Sequence, residues 1–320
     1  MKYIIAALAF IAVELLYFWI AKRFHIVDRP NERSSHHKVI LLGGGIIFPI
    51  SVIYFSATQH WAYPWFIIGV LLVAIVSYID DLKGLPSWFR FGIQLIAIFL
   101  VLFQFSVFHL DMWKIILVFF VTLGTVNIYN FMDGINGMLA AYSLVVLSSL
   151  AYVNAEVLHF VDSDLIIFSM TAVAVFAFFN FRKKARCFSG DVGSIVMGCI
   201  VLFLIGRLVQ ASPTGNPELT YLVFIGIYLA DGGLTILKRL LRGENIFKPH
   251  REHLYETLCN DLRVPHLTVA SSYALAQLVI NVLYFLVEDK LLYTVVVAVV
   301  LVFGYSLFFL CFNNWKLKQG

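Results

Sequence analysis

Charged side chains are too scarce in this chain to coat a water-soluble protein. Asp, Glu, Lys and Arg make up 13% of its 320 residues, about half the share of an ordinary soluble domain. Hydrophobic residues reach 61% and the mean hydropathy is +0.88, which points to a membrane. Cysteine is sparse: Cys187, Cys199, Cys259 and Cys311 lack the spacing of a zinc site or a disulfide framework. Low-complexity tracts, a separate soluble domain and an obvious internal repeat are missing as well. So is the alternation of a membrane β-barrel, with long Leu/Ile/Val/Phe runs in its place. The net charge of only +4 gives no reason to expect nucleic acid as a partner.

What is present are runs of roughly 20 apolar residues, the length that carries a helix across the hydrocarbon. The expectation is an all-α, polytopic integral membrane protein of about 10–11 transmembrane helices, forming one domain over residues 1–320. Eleven segments qualify: 3–21, 40–58, 61–79, 91–109, 112–129, 137–154, 164–181, 193–210, 219–238, 267–286 and 291–312. The first ends in Lys22-Arg23 without a small-residue cleavage site, so it reads as a helix and not as a signal peptide.

Basic residues orient the chain. The loop after the first span holds five (Lys22, Arg23, Arg29, Arg33, Lys38), and the one after the third holds Lys83 and Arg90. Arg182, Lys183, Lys184 and Arg186 follow the seventh span, six lie from Lys238 to Arg263, and Lys316 and Lys318 close the tail. That places 19 of 23 on one side, which is expected to be cytoplasmic.

The polar clusters gather on that same side. "YIDDLKGLPSWFRFGIQ" carries Asp80, Asp81, Arg90 and Gln94, and "NIYNFMDGINGM" carries Asn127, Asn130, Asp133 and Asn136. "FSGDVGS" carries Asp191 and Ser194, "KPHREHLYETL" carries His250, Arg251 and His253, and "DRPNERSSHHK" fills the first loop. A transporter would need such groups at mid-membrane depth. Adjacent acids repel, so Asp80-Asp81 suits metal or proton handling. A glycine-flanked aspartate at a helix start offers backbone N–H groups to phosphate and an oxygen to Mg2+, although Gly-Asp-x-Gly is also ordinary turn chemistry. His250 and His253, three apart, read either as zinc ligands or as phosphate contacts; the missing cysteine partners favour phosphate. Together, acids and amides for Mg2+ with Arg and His for phosphate describe a diphosphate site.

In order and spacing these motifs resemble the polyprenyl-phosphate N-acetylhexosamine-1-phosphate transferases of glycosyl transferase family 4, over about Asp28 to Tyr255. The superfamily includes initiating enzymes of O-antigen, enterobacterial common antigen and teichoic-acid synthesis, and phospho-MurNAc-pentapeptide translocase. The resemblance implies transfer of a sugar-1-phosphate from a UDP-sugar to undecaprenyl phosphate with release of UMP. It also implies Mg2+, with Mn2+ as the alternative, and a bacterial cytoplasmic membrane with the site facing the cytoplasm. By the same resemblance Asp80 and Asp81 are the aspartate pair, one of which deprotonates or positions the lipid phosphate, a role favoured over that of a covalent nucleophile. Arg90 takes the place of a phosphate-binding base, and Asn130 and Asp191 hold Mg2+ and the diphosphate. Asn127 and Asp133 support that site, Asp133 being grouped with the catalytic acids. Asn136 matches a uracil-contacting position, and His250, Arg251 and His253 match a motif near the diphosphate.

The chain also departs from the pattern. "DGING" stands where many bacterial members read Asp-Gly-x-Asp-Gly, "KVILL" replaces a proline-containing stretch, and three consecutive histidines are missing. The last feature and "NERSSH" favour an N-acetylhexosamine enzyme of surface-polysaccharide synthesis over the pentapeptide translocase, with a lipid-carrier transporter as the rival of a different class. The implied partners are the UDP-sugar, undecaprenyl phosphate and the lipid bilayer, with room left for a homodimer.

Overall fold

A computed structural model describes residues 1–28, 39–211, 218–245 and 250–317. The "PNERSSHHK" motif, with Arg33, His36 and His37, lies outside the described residues. The helices are α1 (Lys2–Arg23), α2 (Ile47–Thr58), α3 (Pro64–Lys83), α4 (Ser87–Gln104), α5 (Met112–Phe131), α6 (Met138–Tyr152), α7 (Ser163–Asn180), α8 (Gly190–Gln210), α9 (Gly226–Leu241), α10 (Leu254–Glu256), α11 (His266–Leu286) and α12 (Lys290–Leu317). A two-residue antiparallel pair, β1 (Val27–Asp28) with β2 (Ile40–Leu41), closes the first loop. Ten helical segments among the described residues are long and apolar enough to cross a membrane. The chain is therefore an all-α polytopic membrane protein.

One expected span is corrected. Residues 40–58 do not form a continuous helix; β2 and a 3-10 turn at Gly44–Ile46 precede the 12-residue α2. Twelve residues rise only about 18 Å, short of a hydrocarbon core of roughly 30 Å. The cause is the glycine triplet. Gly43 takes φ +82°, and a side chain on Gly45 would run into the backbone of Gly193. The backbone instead turns to pair with the segment before α8, through Gly44 N to Phe188 O at 2.8 Å and Gly45 N to Ser189 O at 3.0 Å.

The remaining helices arrange by sidedness. α8 is buried continuously from Val192 to Ile205, as expected of a helix that is apolar all round, and it forms the centre of the bundle against α3, α5, α2 and α6. α4, α5 and α12 turn rows of large apolar residues outward, among them Phe99, Phe103, Trp113, Phe120, Val299 and Phe303, which suits a lipid-facing shell. Where apolar contact distinguishes poorly between lipid and protein, buried polar groups specify the pairing. Tyr142 of α6 stacks on Tyr228 of α9 with ring centroids 3.5 Å apart and donates to Gln277 Oε1 at 2.7 Å. Gln277 Nε2 donates to Asn281 Oδ1 at 2.7 Å, and Asn281 Nδ2 to Ser149 Oγ at 2.8 Å, tying α11 to α6.

Candidate active site

Four of the polar clusters named above, those of α3–α4, α5–α6, the start of α8 and the histidine motif, gather at one end of this bundle. α3 ends in Asp80-Asp81. Asp80 Oδ1 accepts from Leu85 N at 2.5 Å, which folds the α3–α4 turn back onto the carboxylate. Asp80 Oδ2 accepts from Arg90 Nη1 at 2.6 Å, and the same nitrogen reaches Asp191 Oδ2 at 3.1 Å. One guanidinium of α4 thus bridges carboxylates of α3 and α8.

Asp81 does something different. Its two oxygens accept from Asp191 N at 3.0 Å and Val192 N at 3.2 Å, so a carboxylate from α3 caps the first turn of α8. Orphan N–H groups and the positive end of the helix dipole both favour an anion there. Gly190 opens α8 at φ +71°, and a side chain on it would collide with the Asp81 carboxylate.

α5 supplies the amides. Asn130 Nδ2 donates to Asp191 Oδ1 at 2.9 Å and to Ser194 Oγ at 2.8 Å. Asn127, one turn earlier, donates to Leu123 O at 2.8 Å and to Gln94 Oε1 at 3.4 Å. Just beyond α5, Asp133 accepts a hydrogen bond from Ser189 Oγ. Burial pushes the Asp133 carboxyl up to about 8, with the neighbouring Asp191 and Asp81 raising it further and the Ser189 bond opposing them. Asp133 therefore holds its proton at neutral pH.

The histidine motif joins from α9 and α10. His250 Nδ1 lies 2.8 Å from Arg239 Nη1, the His250 and His253 rings lie 4.9 Å apart, and each is 6.2 Å from the Phe131 ring at the end of α5. Tyr255 Oη donates to Phe131 O at 2.8 Å, and its ring covers Gly134. Behind the motif sits Asp231 of α9, 3% exposed. It accepts from Leu254 N at 2.9 Å and Tyr273 Oη at 2.7 Å and lies 3.5 Å from His253 Nδ1. Arg251 follows in the same segment, partly buried.

Asp80, Asp81, Arg90, Asn130 and Asp191 are thus joined directly, and Asp133 meets the segment preceding α8 through Ser189. Asn127 pairs with Gln94 beside them. Asn136 is held otherwise: its amide donates to Arg182 O at 3.0 Å and Lys183 O at 3.4 Å. Gly137 N donates to Asn180 Oδ1 at 2.7 Å, and Asn180 Nδ2 to Cys187 O at 2.9 Å, so this turn is sewn to the loop before α8. The sequence reading missed Asp231, Asn180 and Ser189, and it counted Arg239 only as an orienting charge. A lone aspartate inside an apolar run was the available signal for Asp231.

The donor set admits Mg2+. Among the described residues no three His, Cys, Asp or Glu side chains form a ready-made metal cage. Mg2+ commonly takes one or two carboxylates and completes its shell with substrate phosphates and water. Of the three carboxylates gathered here, Asp80 and Asp191 share one directly bonded cation, Arg90, and Asp81 is held by backbone N–H groups alone, which leaves negative charge to be met. Rotating the Asn130 amide about its last bond would exchange its donor for an oxygen.

The profile of glycosyl transferase family 4 matches residues 63–208, the stretch from α3 through α8. The chain is 25% identical over 280 residues to the probable undecaprenyl-phosphate N-acetylglucosaminyl 1-phosphate transferase of Bacillus subtilis, covering 80% of this chain and 76% of that protein. It is also 25% identical to the undecaprenyl-phosphate alpha-N-acetylglucosaminyl 1-phosphate transferases of Escherichia coli K12 (262 residues, 75% of this chain and 70% of that one) and Pasteurella multocida (261 residues, 75% and 72%).

Proposed function

From the match of residues 63–208 to the model of glycosyl transferase family 4, we propose that this protein transfers N-acetylhexosamine-1-phosphate from a UDP-sugar to undecaprenyl phosphate and releases UMP. The reading takes the basic end of the bundle as cytoplasmic, in a bacterial inner membrane. An oxygen of the lipid phosphate attacks the phosphorus that carries the sugar, and the bond from that phosphorus to the UMP oxygen breaks. The observation that carries the proposal is the junction of Asp80, Arg90, Asn130 and Asp191 at the ends of four apolar helices, where a soluble nucleotide and a membrane-borne phosphate can meet.

Arg90 is suited to bind phosphate, because one guanidinium serves several anionic oxygens at once. Asp191 with Asn130 would hold Mg2+, which when bound neutralises diphosphate charge and polarises the phosphoryl oxygen. Both Asp81 oxygens are occupied by N–H groups of α8, and Asp80 is paired with Arg90 and Leu85. This favours direct attack by the lipid phosphate over a covalent aspartyl intermediate, with the acids as positioning groups. Asp133, neutral and bonded to Ser189, steadies the turn that presents Asp191.

Purified protein incubated with a panel of UDP-sugars tests the reading. UMP release is expected only when both undecaprenyl phosphate and Mg2+ are present. A stoichiometric UMP burst without lipid would establish the covalent route instead, and no release with any UDP-N-acetylhexosamine would refute the transferase.

A further inference from the structure

Among the described residues, Arg239 is the most buried arginine at the basic end, 4% exposed. It sits near the end of α9 and directs each guanidinium nitrogen to a separate acceptor. Nε donates to Glu244 Oε2 at 3.0 Å, Nη2 to Asn245 O at 2.9 Å, and Nη1 lies 2.8 Å from His250 Nδ1. Arginine has donors only and stays charged in proteins. At 2.8 Å the imidazole atom facing Nη1 must therefore be an acceptor, so Nδ1 carries no proton. A neutral imidazole holds one proton, and here that proton belongs on Nε2.

We infer that Arg239 is a positioning residue that fixes His250 as the neutral Nε2–H tautomer, so that His250 serves the site as a hydrogen-bond donor and neither as a cation nor as a general base. Protonating Nδ1 would break the Arg239 contact and set two cations against each other. Among the described residues, Arg239 from α9, His253 from its own segment and the ring of Phe131 from α5 face this imidazole. Glu244 is turned to Arg239 and Asp231 to His253, so neither carboxylate draws the proton to Nδ1. The Nε2–H is suited to an oxygen of the nucleotide diphosphate, whose charge Arg90 already addresses. That last step rests on the proposed transfer; the tautomer does not.

Two measurements on the full chain in lipid nanodiscs separate these levels. With 15N-labelled histidine, and the His250 signals assigned by their loss in His250→Gln, Nδ1 is expected to stay of the unprotonated type and Nε2 of the protonated type from pH 8 to pH 5. A proton on Nδ1, or titration near 6.5 as in a free imidazole, would overturn the inference whether or not the protein transfers sugar phosphate. In kinetics, Arg239→Met should lower kcat/KM for the UDP-sugar roughly tenfold at pH 8, the effect of one lost hydrogen bond. The loss should deepen toward pH 6 as His250 becomes free to protonate, and Arg239→Lys should recover part of it. In a His250→Gln background, Arg239→Met should add less than about twofold, because two residues acting through one contact do not add. Fully additive losses with an unchanged pH profile would reduce Arg239 to a structural tether of the loop after α9.

Discussion

Replacing Asp81 by asparagine distinguishes an acid that works through the helix it caps from one that handles protons. In the native protein both carboxylate oxygens accept N–H groups of α8, from Asp191 at 3.0 Å and Val192 at 3.2 Å. Asparagine keeps one acceptor and turns an NH2 group toward the other N–H. One hydrogen bond is lost and a donor is left unpaired, about 1–3 kcal/mol. Losing the anion at the helix start removes about 0.3–1 kcal/mol more. Alanine gives up both bonds, about 2–6 kcal/mol, in addition to the same loss of the anion. Because Asp191 contributes one of those N–H groups and also meets Arg90 and Asn130, loosening the cap should misplace its carboxylate. Melting temperature and UMP release should therefore fall together, in the order wild type, Asp81→Asn, Asp81→Ala. The assay is thermal unfolding in detergent alongside UMP release at saturating lipid. If Asp81→Asn melts like wild type yet is as inactive as Asp81→Ala, the carboxylate acts on substrate directly and the capping argument fails.

Asp191→Asn removes the one anionic ligand assigned to Mg2+, leaving a neutral amide oxygen, and should slow turnover by a factor of ~100 or more; near-normal rates at ordinary Mg2+ would exclude Asp191 as a ligand. Asp133 holds its proton up to about 8 in the folded chain against an ordinary value of 3.8, so folding takes up a proton between those values. This contribution to stability is full below about pH 4 and is lost as pH rises toward 8. Melting curves from pH 5 to 9 should show the decline in wild type and a shallower one in Asp133→Asn, and identical slopes would remove Asp133 as the source. Asn136→Ala breaks the bonds to Arg182 O and Lys183 O and should cost about 1–3 kcal/mol of stability with an unchanged preference for UDP- over CDP-sugars. A collapse of that preference at constant melting temperature would make Asn136 a reader of the base.

Much of this protein follows from local composition. Apolar runs of about 20 residues have one stable state in a bilayer, the helix that satisfies its own backbone. For that reason the expected span 164–181 meets α7 at Ser163–Asn180, and the span 112–129 meets α5 at Met112–Phe131. The 40–58 segment escaped this rule because its glycines permit a turn that only a partner segment elsewhere rewards, here the backbone at Phe188 and Ser189. Residue types likewise pointed to Asp80, Asp81, Arg90, Asn130 and Asp191, since acids, amides and arginine at the ends of apolar helices need a reason to be there. Their roles were not legible. Asp81 and Asp191 are 110 positions apart, and whether an acid caps a helix or faces a ligand depends on which N–H groups the packing of α3 on α8 brings within 3 Å. Arg239 was one of six basic residues in a single stretch. Tertiary packing alone made it a buried fork fixed on His250, because a hydrogen bond depends on distance and direction, and sequence order records neither.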